Sequence, residues 1–300
     1  MKSVVQWVKP LAMLTCTVIN WAAIAPQIQA SASSTTDLAS NFEPVEIVVP
    51  PPENQGIEGS ASVCPAFLGS LIDSIISRPN VARANWGIMV ASLSDGSVFY
   101  SHNASQSLIP ASNVKLFTTA AALQKFDPNA KIGTTPLDEW VTITNTNSNN
   151  DYAETLFHQV GGVSAVKDTL TQLGIDPNSY RLSDGSGLSR QNSASPTTLV
   201  QLLRAMSVAK NRDIFYSSLS VAGVTGTLKR RFHLTPVEGH LHGKTGTLTG
   251  VRALSGYLEN PEYGVIVFSI LVNEPSNSGD GLVSAIDDIV IQMSRLSRCY

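Results

Sequence analysis

The sequence predicts an α+β fold, with an antiparallel sheet built from both chain ends and flanked by helices. A helix and a strand hairpin open the folded part, helical patterns fill its middle, and strand-like segments with a final helix close it. Across 300 residues, a hydrophobic content of 43% and a charged content of 14% are typical of a globular protein. This composition excludes a wholly disordered chain, a coiled coil and a collagen.

Residues 1–32 have the pattern of a secretory signal peptide. A start with two lysines precedes a mostly apolar run at 11–25, and small residues at 30–32 suit cleavage. A retained membrane anchor is the alternative, although this run is shorter than the roughly 20 residues that a spanning helix needs. A lipoprotein using Cys16 is a minor alternative, because Thr15 stands where a smaller residue is expected. We therefore expect an exported protein, periplasmic or extracellular, without a stable membrane span after cleavage.

Residues 33–60 are predicted to be a disordered linker, which leaves 61–300 as the folded domain. The linker is rich in Ser, Thr, Pro, Glu and Gly and shows no sustained periodicity. After the signal, 18 Lys and Arg residues stand against 23 Asp and Glu residues. This balance gives no electrostatic reason to bind nucleic acid.

The first predicted elements of the domain are a helix and a hairpin. Apolar residues between 67 and 76 recur at i, i+3 and i+4, which indicates an amphipathic helix that ends near Pro79. Two strand-like segments, 86–93 and 97–100, then flank Asp95-Gly96, a dipeptide that suits a tight turn.

The later elements follow from the same periodicities. The segment 110–123 is a predicted helix whose alanine-rich interior indicates packing on all sides. Further helical patterns cover 151–173 and 196–210, strand-like segments cover 251–258 and 264–272, and the predicted final helix covers 282–296.

Cysteine usage is compatible with an oxidising compartment. Without Cys16, the chain keeps Cys64 and Cys299 near the two ends of the domain. A disulfide between them would stabilise the fold by about 4–5 kcal/mol in the chain-entropy model; two independent buried thiols are the alternative. The two cysteines are too far apart to suggest zinc ligands, and His240 and His242 lack a third ligand, so no metal is expected.

A Ser-x-x-Lys motif places a lysine one helical turn from a serine, where it can act as the base for a nucleophile. The motif occurs three times, at Ser112, Ser164 and Ser207. Ser112 stands apart because it lies at the start of the predicted buried helix, where free N–H groups stabilise an anion. The other two lie in solvent-facing helical patterns, so Ser112 and Lys115 are the candidate pair.

Two further short motifs follow. Ser148-Asn149-Asn150 is a Ser-x-Asn motif that is weak alone, since Ser101-His102-Asn103 also matches. Lys244-Thr245-Gly246 occurs once, between strand-compatible segments, where an ammonium and a hydroxyl can face a carboxylate. The spacing around Gly243 fails for a phosphate loop, and the serine-hydrolase elbow is absent because Asp184 occupies its first glycine position.

The three motifs, in this order, resemble penicillin-binding proteins and serine β-lactamases. The sequence that flanks the three motifs resembles the D-alanyl-D-alanine carboxypeptidase/endopeptidase family, the class C low-molecular-mass penicillin-binding proteins. Four extended matches carry this resemblance over roughly 64–299; they are 110–123, 144–154, 184–190 and 243–257. The resemblance implies a β-lactamase/transpeptidase-like fold, peptidoglycan stem peptides as substrates, β-lactams as covalent inhibitors and no cofactor.

The resemblance also implies residue roles. Ser112 would be the nucleophile that attacks the penultimate D-Ala carbonyl, Lys115 its base, and Ser148 the relay of the proton to the leaving amine. Burial beside Lys244 would keep Lys115 partly neutral. Asn150 would bind the acyl side-chain amide. Lys244, Thr245 and Gly246 would bind the terminal carboxylate. The backbone N–H groups of Ser112 and Thr247 would form the oxyanion hole. Asp184–Arg190 would be a structural turn beside the site, and Arg252 would support the Lys-Thr-Gly strand.

One departure from the family is large. Ser148 follows Ser112 by 36 residues, whereas the family places one or two extra domains between these motifs. A catalytically impaired wall-binding relative is therefore one alternative to a D,D-peptidase, and a serine β-lactamase is another. Between Asn150 and Lys244 a β-lactamase would have only Glu154 and Glu238 as glutamate bases.

Overall fold

A six-stranded antiparallel sheet forms the centre of this computed structural model, which describes residues 62–274 and 279–299. The predicted signal peptide (1–32) and the whole of the predicted linker (33–60) lie outside the described residues. The strand order is β2-β1-β10-β9-β8-β7, so the first and last strands of the domain meet in the middle of the sheet. The strands are β1 Asn85–Ser92, β2 Val98–His102, β7 Ser220–Val221, β8 Leu241–Leu248, β9 Val251–Asn260 and β10 Gly264–Asn273.

Helices cover both faces of this sheet. Helices α1 and α8 pack on one face, and the helices between β2 and β7 pack on the other. The helices are α1 Pro65–Ile76, α2 Val114–Lys125, α3 Leu137–Thr146, α4 Asn150–Val160, α5 Gly162–Gln172, α6 Pro196–Met206, α7 Arg212–Ser217 and α8 Asp280–Ser294. Two short hairpins, β3 Lys131–Ile132 with β4 Thr135–Pro136 and β5 Tyr180–Arg181 with β6 Ser193–Ala194, and two 3-10 turns, Ala111–Asn113 and Gly226–Leu228, complete the described elements.

Strand β10, near the middle of the sheet, contributes side chains to the hydrophobic cores on both faces of the sheet. Its side chains alternate, so that Val267 and Leu271 contribute to the core under α2–α6 while Phe268 and Ile270 contribute to the core under α1 and α8. All four are fully buried. A strand buried on both faces reads as a continuous apolar run, which is why the sequence pattern of 264–272 shows no polar alternation.

Most of the predicted elements are present, but one is divided and several short elements were not predicted. The helical pattern at 151–173 is two helices, because Gly161 adopts a left-handed φ of 110° that ends α4 before α5 begins. The segment 131–140, to which the sequence pattern assigned no element, contains the β3–β4 hairpin and the start of α3. The Trp140 indole donates to the Ile132 carbonyl at 3.2 Å and fixes this hairpin on α3. None of the described helices has the length and apolar character that crossing a bilayer requires.

A disulfide joins Cys64, just before α1, to Cys299, after α8, across a sequence separation of 235 residues. The pairing that the sequence left open is therefore present, on the face of the sheet that α1 and α8 cover.

Replacing both cysteines with serine is expected to lower the free energy of unfolding by about 4–5 kcal/mol, because the unfolded chain loses a large closed loop. Urea denaturation of the oxidised protein and the double variant measures this. Wild-type protein unfolded in the presence of a reductant should have the same unfolding midpoint as the double variant. An unchanged unfolding midpoint in both comparisons would contradict the prediction.

Candidate active site

Ser112 lies in a tight 3-10 turn that leads into α2. The residue before it, Ala111, is buried and adopts a left-handed φ of 47°, which turns the backbone sharply at the serine. The Asn113 side-chain amide donates to the carbonyl of Lys244 at 3.2 Å and so ties this turn to β8. The turn leaves the Ser112 side chain partly exposed, as a nucleophile requires.

Lys115 lies one turn further along and is fully buried. Its Nζ contacts three oxygens: the Ser112 Oγ at 3.2 Å, the Asn150 Oδ1 at 2.7 Å and the Ser186 carbonyl at 2.6 Å. Three acceptors match the three protons of an ammonium, and a neutral amine keeps a lone pair free to take the serine proton. The structure therefore brings Ser112 and Lys115 of the first predicted motif and Asn150 of the second into one hydrogen-bonded group.

Burial lowers the pKa of Lys115 to about 8, although the negative charges of Asp184 and Glu154 act in the opposite direction. At pH 7 roughly one Lys115 in ten is then neutral. The sequence predicted the direction of this pKa shift. It did not predict the two carboxylates that limit it.

The two other Ser-x-x-Lys pairs do not form such a group. The Lys167 Nζ donates to the Pro177 carbonyl at 2.7 Å, and the Lys210 Nζ donates to the Phe126 carbonyl at 3.3 Å. Each of these lysines therefore points away from its serine, Ser164 or Ser207, and fastens a loop.

A tightly held loop, 183–192, presents the Ser186 carbonyl to Lys115. The Glu154 carboxylate accepts the N–H groups of Gly185 at 3.1 Å and Ser186 at 2.9 Å. The Asp184 carboxylate accepts the N–H group of Gly187 at 2.8 Å. Glu154 and Ser186 were not among the predicted site residues; the only sequence signal for them is their place inside the family-like stretches around Asn150 and Asp184.

Lys244, Thr245 and Gly246 lie inside strand β8, against the nucleophile turn. A Cβ on Gly246 would lie 2.7 Å from the Pro110 carbonyl oxygen, so only glycine allows this approach. Lys244 is fully buried; burial first and the charge of Lys115 second hold its pKa well below the ordinary lysine value. Its Nζ donates to the Thr245 carbonyl at 3.1 Å.

Among the described residues, no strand pairs with the outer edge of β8 beside Lys244, Thr245 and Gly246. Strand β7 pairs with β8 only at His242 and Gly243, and the Leu241 carbonyl on this edge accepts from Ala222 N–H at 3.0 Å. Because backbone groups of successive residues alternate between edges, those of Thr245 and Thr247 point to the same edge as those of Leu241. The Thr247 N–H therefore points toward the unpaired edge, where the predicted oxyanion donor is needed.

Ser148 does not share the contact that Asn150 makes with Lys115. Asn150 begins α4, which Asn149 caps by accepting the Tyr152 N–H at 3.0 Å. Ser148 lies half-buried just before this cap with a left-handed φ of 53°. Its hydroxyl makes no hydrogen bond to Ser112 or Lys115 in the part of the chain that is described.

The described residues around the site support β8 and form no metal-binding cluster. The Arg252 guanidinium donates to the Leu248 carbonyl at 2.9 Å, at the end of β8. His242 stacks on Tyr216 with ring centroids 4.2 Å apart, and His240 is exposed beside Glu259. Within 62–274 and 279–299, no three His, Cys, Asp or Glu side chains are grouped closely enough to hold a metal ion.

Comparison with solved structures identifies the fold. Penicillin binding protein 4 (dacB) from Haemophilus influenzae superimposes with a TM-score of 0.67 at 15% identity, covering 74% of this chain and 99% of that one. The TLA-1 S70G extended-spectrum β-lactamase superimposes with a TM-score of 0.63 at 19% identity, covering 77% and 98%. These matches confirm the predicted β-lactamase/transpeptidase-like fold.

Comparison of sequences finds curated relatives. A D-alanyl-D-alanine carboxypeptidase of Actinomadura sp. (strain R39) is 38% identical over 163 residues, which are 49% of this chain and 30% of that protein. A penicillin-sensitive carboxypeptidase A of Dictyostelium discoideum is 33% identical over 178 residues, which are 53% and 34%. The chain therefore spans about a third of the length of the curated relatives it matches.

The family model for D-Ala-D-Ala carboxypeptidase 3 (S13) matches residues 68–136 and 134–294. The two matched segments meet in the β3–β4 hairpin, at the place where the sequence lacks the inserted domains. Together they include Ser112, Lys115, Asn150 and Lys244 and extend over most of the described residues. The chain belongs to the D-Ala-D-Ala carboxypeptidase 3 (S13) family.

Proposed function

We propose that this protein is an exported serine-type D-Ala-D-Ala carboxypeptidase/endopeptidase that acts on peptidoglycan stem peptides and is acylated by β-lactams. One observation carries the proposal: the Ser112 Oγ lies 3.2 Å from the Nζ of a buried Lys115 whose pKa is lowered to about 8. A serine is a weak nucleophile unless a neighbouring base takes its proton, and this lysine meets that need. Family membership supports the same reaction.

Acylation begins when neutral Lys115 takes the Ser112 proton. The Ser112 Oγ then bonds to the carbonyl carbon of the penultimate D-Ala, and the carbonyl oxygen becomes an oxyanion that the N–H groups of Ser112 and Thr247 stabilise. The C–N bond to the terminal D-Ala breaks as its nitrogen receives a proton from Lys115 through Ser148. Free D-Ala leaves, and the peptide remains as an ester on Ser112.

Deacylation reverses the proton path with water in place of the amine. Lys115, neutral again after giving up the proton, accepts one from a water whose oxygen attacks the ester carbonyl carbon. The C–Oγ bond breaks, Ser112 regains its proton, and the shortened peptide acid leaves. Asn150 holds the amide of the acyl group during both steps, while its Oδ1 continues to orient Lys115.

The Lys-Thr-Gly strand binds the substrate backbone and its terminal carboxylate. The unpaired edge of β8 offers the backbone groups of Thr245 and Thr247 to an extended peptide, as in other strand additions. The carboxylate supplies the negative charge that buried Lys244 lacks. Substrate binding therefore raises the pKa of Lys244 again and favours its ammonium form.

The positions of two glutamates favour a peptidase over a β-lactamase. A β-lactamase needs a free carboxylate to activate the deacylating water. Both Glu154 oxygens accept backbone N–H groups of Gly185 and Ser186, and half-buried Glu238 accepts from Leu234 N–H and contacts His233. We therefore expect β-lactams to form long-lived adducts. The intact Ser112 and Lys115 contact argues equally against a non-catalytic wall-binding protein.

An exported location, periplasmic or extracellular, is part of the proposal. Peptidoglycan lies outside the cytoplasmic membrane. The signal-like residues 1–32 support export, and the Cys64–Cys299 disulfide is of a kind that persists in oxidising compartments.

Labelling of the full chain with a fluorescent penicillin tests the function. We expect one covalent adduct per chain in the wild type and none in the Ser112→Ala variant, because the lysines that follow Ser164 and Ser207 contact backbone carbonyls and not these serines. Ser164→Ala is the matched control, since its lysine contacts Pro177 instead, and it should label normally. Release of D-Ala from a pentapeptide should follow the same pattern. Labelling that survives Ser112→Ala would refute the proposal.

A further inference from the structure

A short chain of hydroxyl groups runs from Thr245 away from the cleft. The Thr245 Oγ1 lies 2.7 Å from the Oγ1 of Thr227, which belongs to the 3-10 turn Gly226–Leu228. Thr227 is exposed, while Thr245 is half-buried. This turn follows the end of β7, so Thr227 stands beside the unpaired edge of β8.

The turn that carries Thr227 is firmly held. Fully buried Ser220 donates through its Oγ to the Thr146 carbonyl at 3.1 Å and accepts the Thr227 N–H at 3.1 Å. A Cβ on Gly226 would lie 2.4 Å from the Thr146 carbonyl oxygen, so the turn packs directly on the end of α3. The position of the Thr227 hydroxyl is therefore set by the fold and does not depend on a ligand.

Carboxylate binding depends on which hydroxyl group donates in each hydrogen bond between Thr245, Thr227 and Ser220. Because Ser220 uses its only proton on Thr146, the 3.2 Å contact between Ser220 Oγ and Thr227 Oγ1 has Thr227 as donor. Thr245 in turn donates to Thr227. In the free protein the Thr245 proton thus points away from the place of the substrate.

A carboxylate has only acceptors, so it can bind Thr245 only if this proton turns toward it. Thr227 can then turn its own proton to the Thr245 Oγ1, and Ser220 still keeps the Thr227 N–H. Each of the three hydroxyl groups, of Thr245, Thr227 and Ser220, then still has a hydrogen-bond partner. A hydroxyl that receives a hydrogen bond also becomes a better donor.

We propose that Thr227 is a positioning residue of the carboxylate subsite: it orients the Thr245 hydroxyl and so favours substrates that end in a free carboxylate. This inference rests on the proposed function. It adds a residue that lies outside all three sequence motifs, and it assigns that residue to recognition of the leaving group.

Two N-acyl thioesters that differ only in the leaving group, a free carboxylate or its methyl ester, test the role. Both deliver the same acyl group, so deacylation of the full-length protein is common to the two. For Thr227→Val we expect kcat/KM to fall about tenfold for the carboxylate thioester and to stay within twofold for the methyl ester. The rate of acyl-enzyme hydrolysis should not change, and Thr227→Ser should restore the carboxylate preference.

Thr249→Val is the matched control, because Thr249 is exposed just beyond β8 and its hydroxyl makes no hydrogen bond within the described residues. It should leave both kcat/KM values unchanged. An equal loss on both thioesters in Thr227→Val, or no loss on either, overturns the inference. If the wild type hydrolyses neither thioester through Ser112, the proposed function itself fails, and the inference fails with it.

Discussion

Replacing Lys115 with arginine is expected to slow acylation by a β-lactam or a peptide about 10³-fold. Arginine keeps a positive charge at this position, but its guanidinium stays protonated and so has no neutral form to take the Ser112 proton. The loss is that of a general base, for which factors of 10² to 10⁴ are typical. Stopped-flow or quench measurements of penicillin acylation give the rate constant.

The pH dependence of the wild-type rate identifies the same group. Since the base is neutral Lys115, the acylation rate should rise about tenfold per pH unit below its pKa of about 8 and level off above it. Lys167→Arg is the matched control, because the Lys167 Nζ contacts Pro177 and not a serine. It should keep the wild-type rate and profile. A Lys115→Arg variant that retains a tenth of the wild-type rate would show that another group takes the proton.

The local parts of the fold were predictable from sequence because each has a periodicity of its own. Helix α1, the β1–β2 hairpin and strand β10 lie where their patterns indicated. Helix α3 was missed, since it follows Pro136 directly and buries a short stretch against α2, α4 and α7. The break at Gly161 was missed because the apolar pattern continues through it and only the backbone angle changes.

In the site, too, contacts between residues close in sequence were predictable and contacts between distant residues were not. Ser112 and Lys115 lie three residues apart, so helical geometry alone predicts their contact. The contacts of Lys115 with Asn150 and Ser186 span 35 and 71 residues, and no local pattern encodes such distances. Their pairing depends on how α4 and the loop 183–192 pack on α2. The relay role of Ser148 stays a prediction.

Replacing Gly187 with alanine is expected to lower the acylation rate about 10²-fold without touching any reacting group. Gly187 adopts a φ of 89°, and a Cβ there would lie 2.0 Å from the Ala111 carbonyl oxygen and 3.0 Å from the Ser112 nitrogen. The nucleophile turn must move to make room. Its N–H then leaves the oxyanion position, and the loss of one such donor costs about 10²- to 10³-fold.

Gly174→Ala separates this displacement from ordinary backbone strain. Gly174 has a similar φ of 81°, but a Cβ there meets no atom within 4 Å. Both variants should lose about 1 kcal/mol or more of unfolding free energy, because alanine disfavours this conformation. Only Gly187→Ala should lose acylation, measured on samples shown by denaturation to be folded. Equal acylation rates in the two variants would mean that loop 183–192 does not set the position of Ser112.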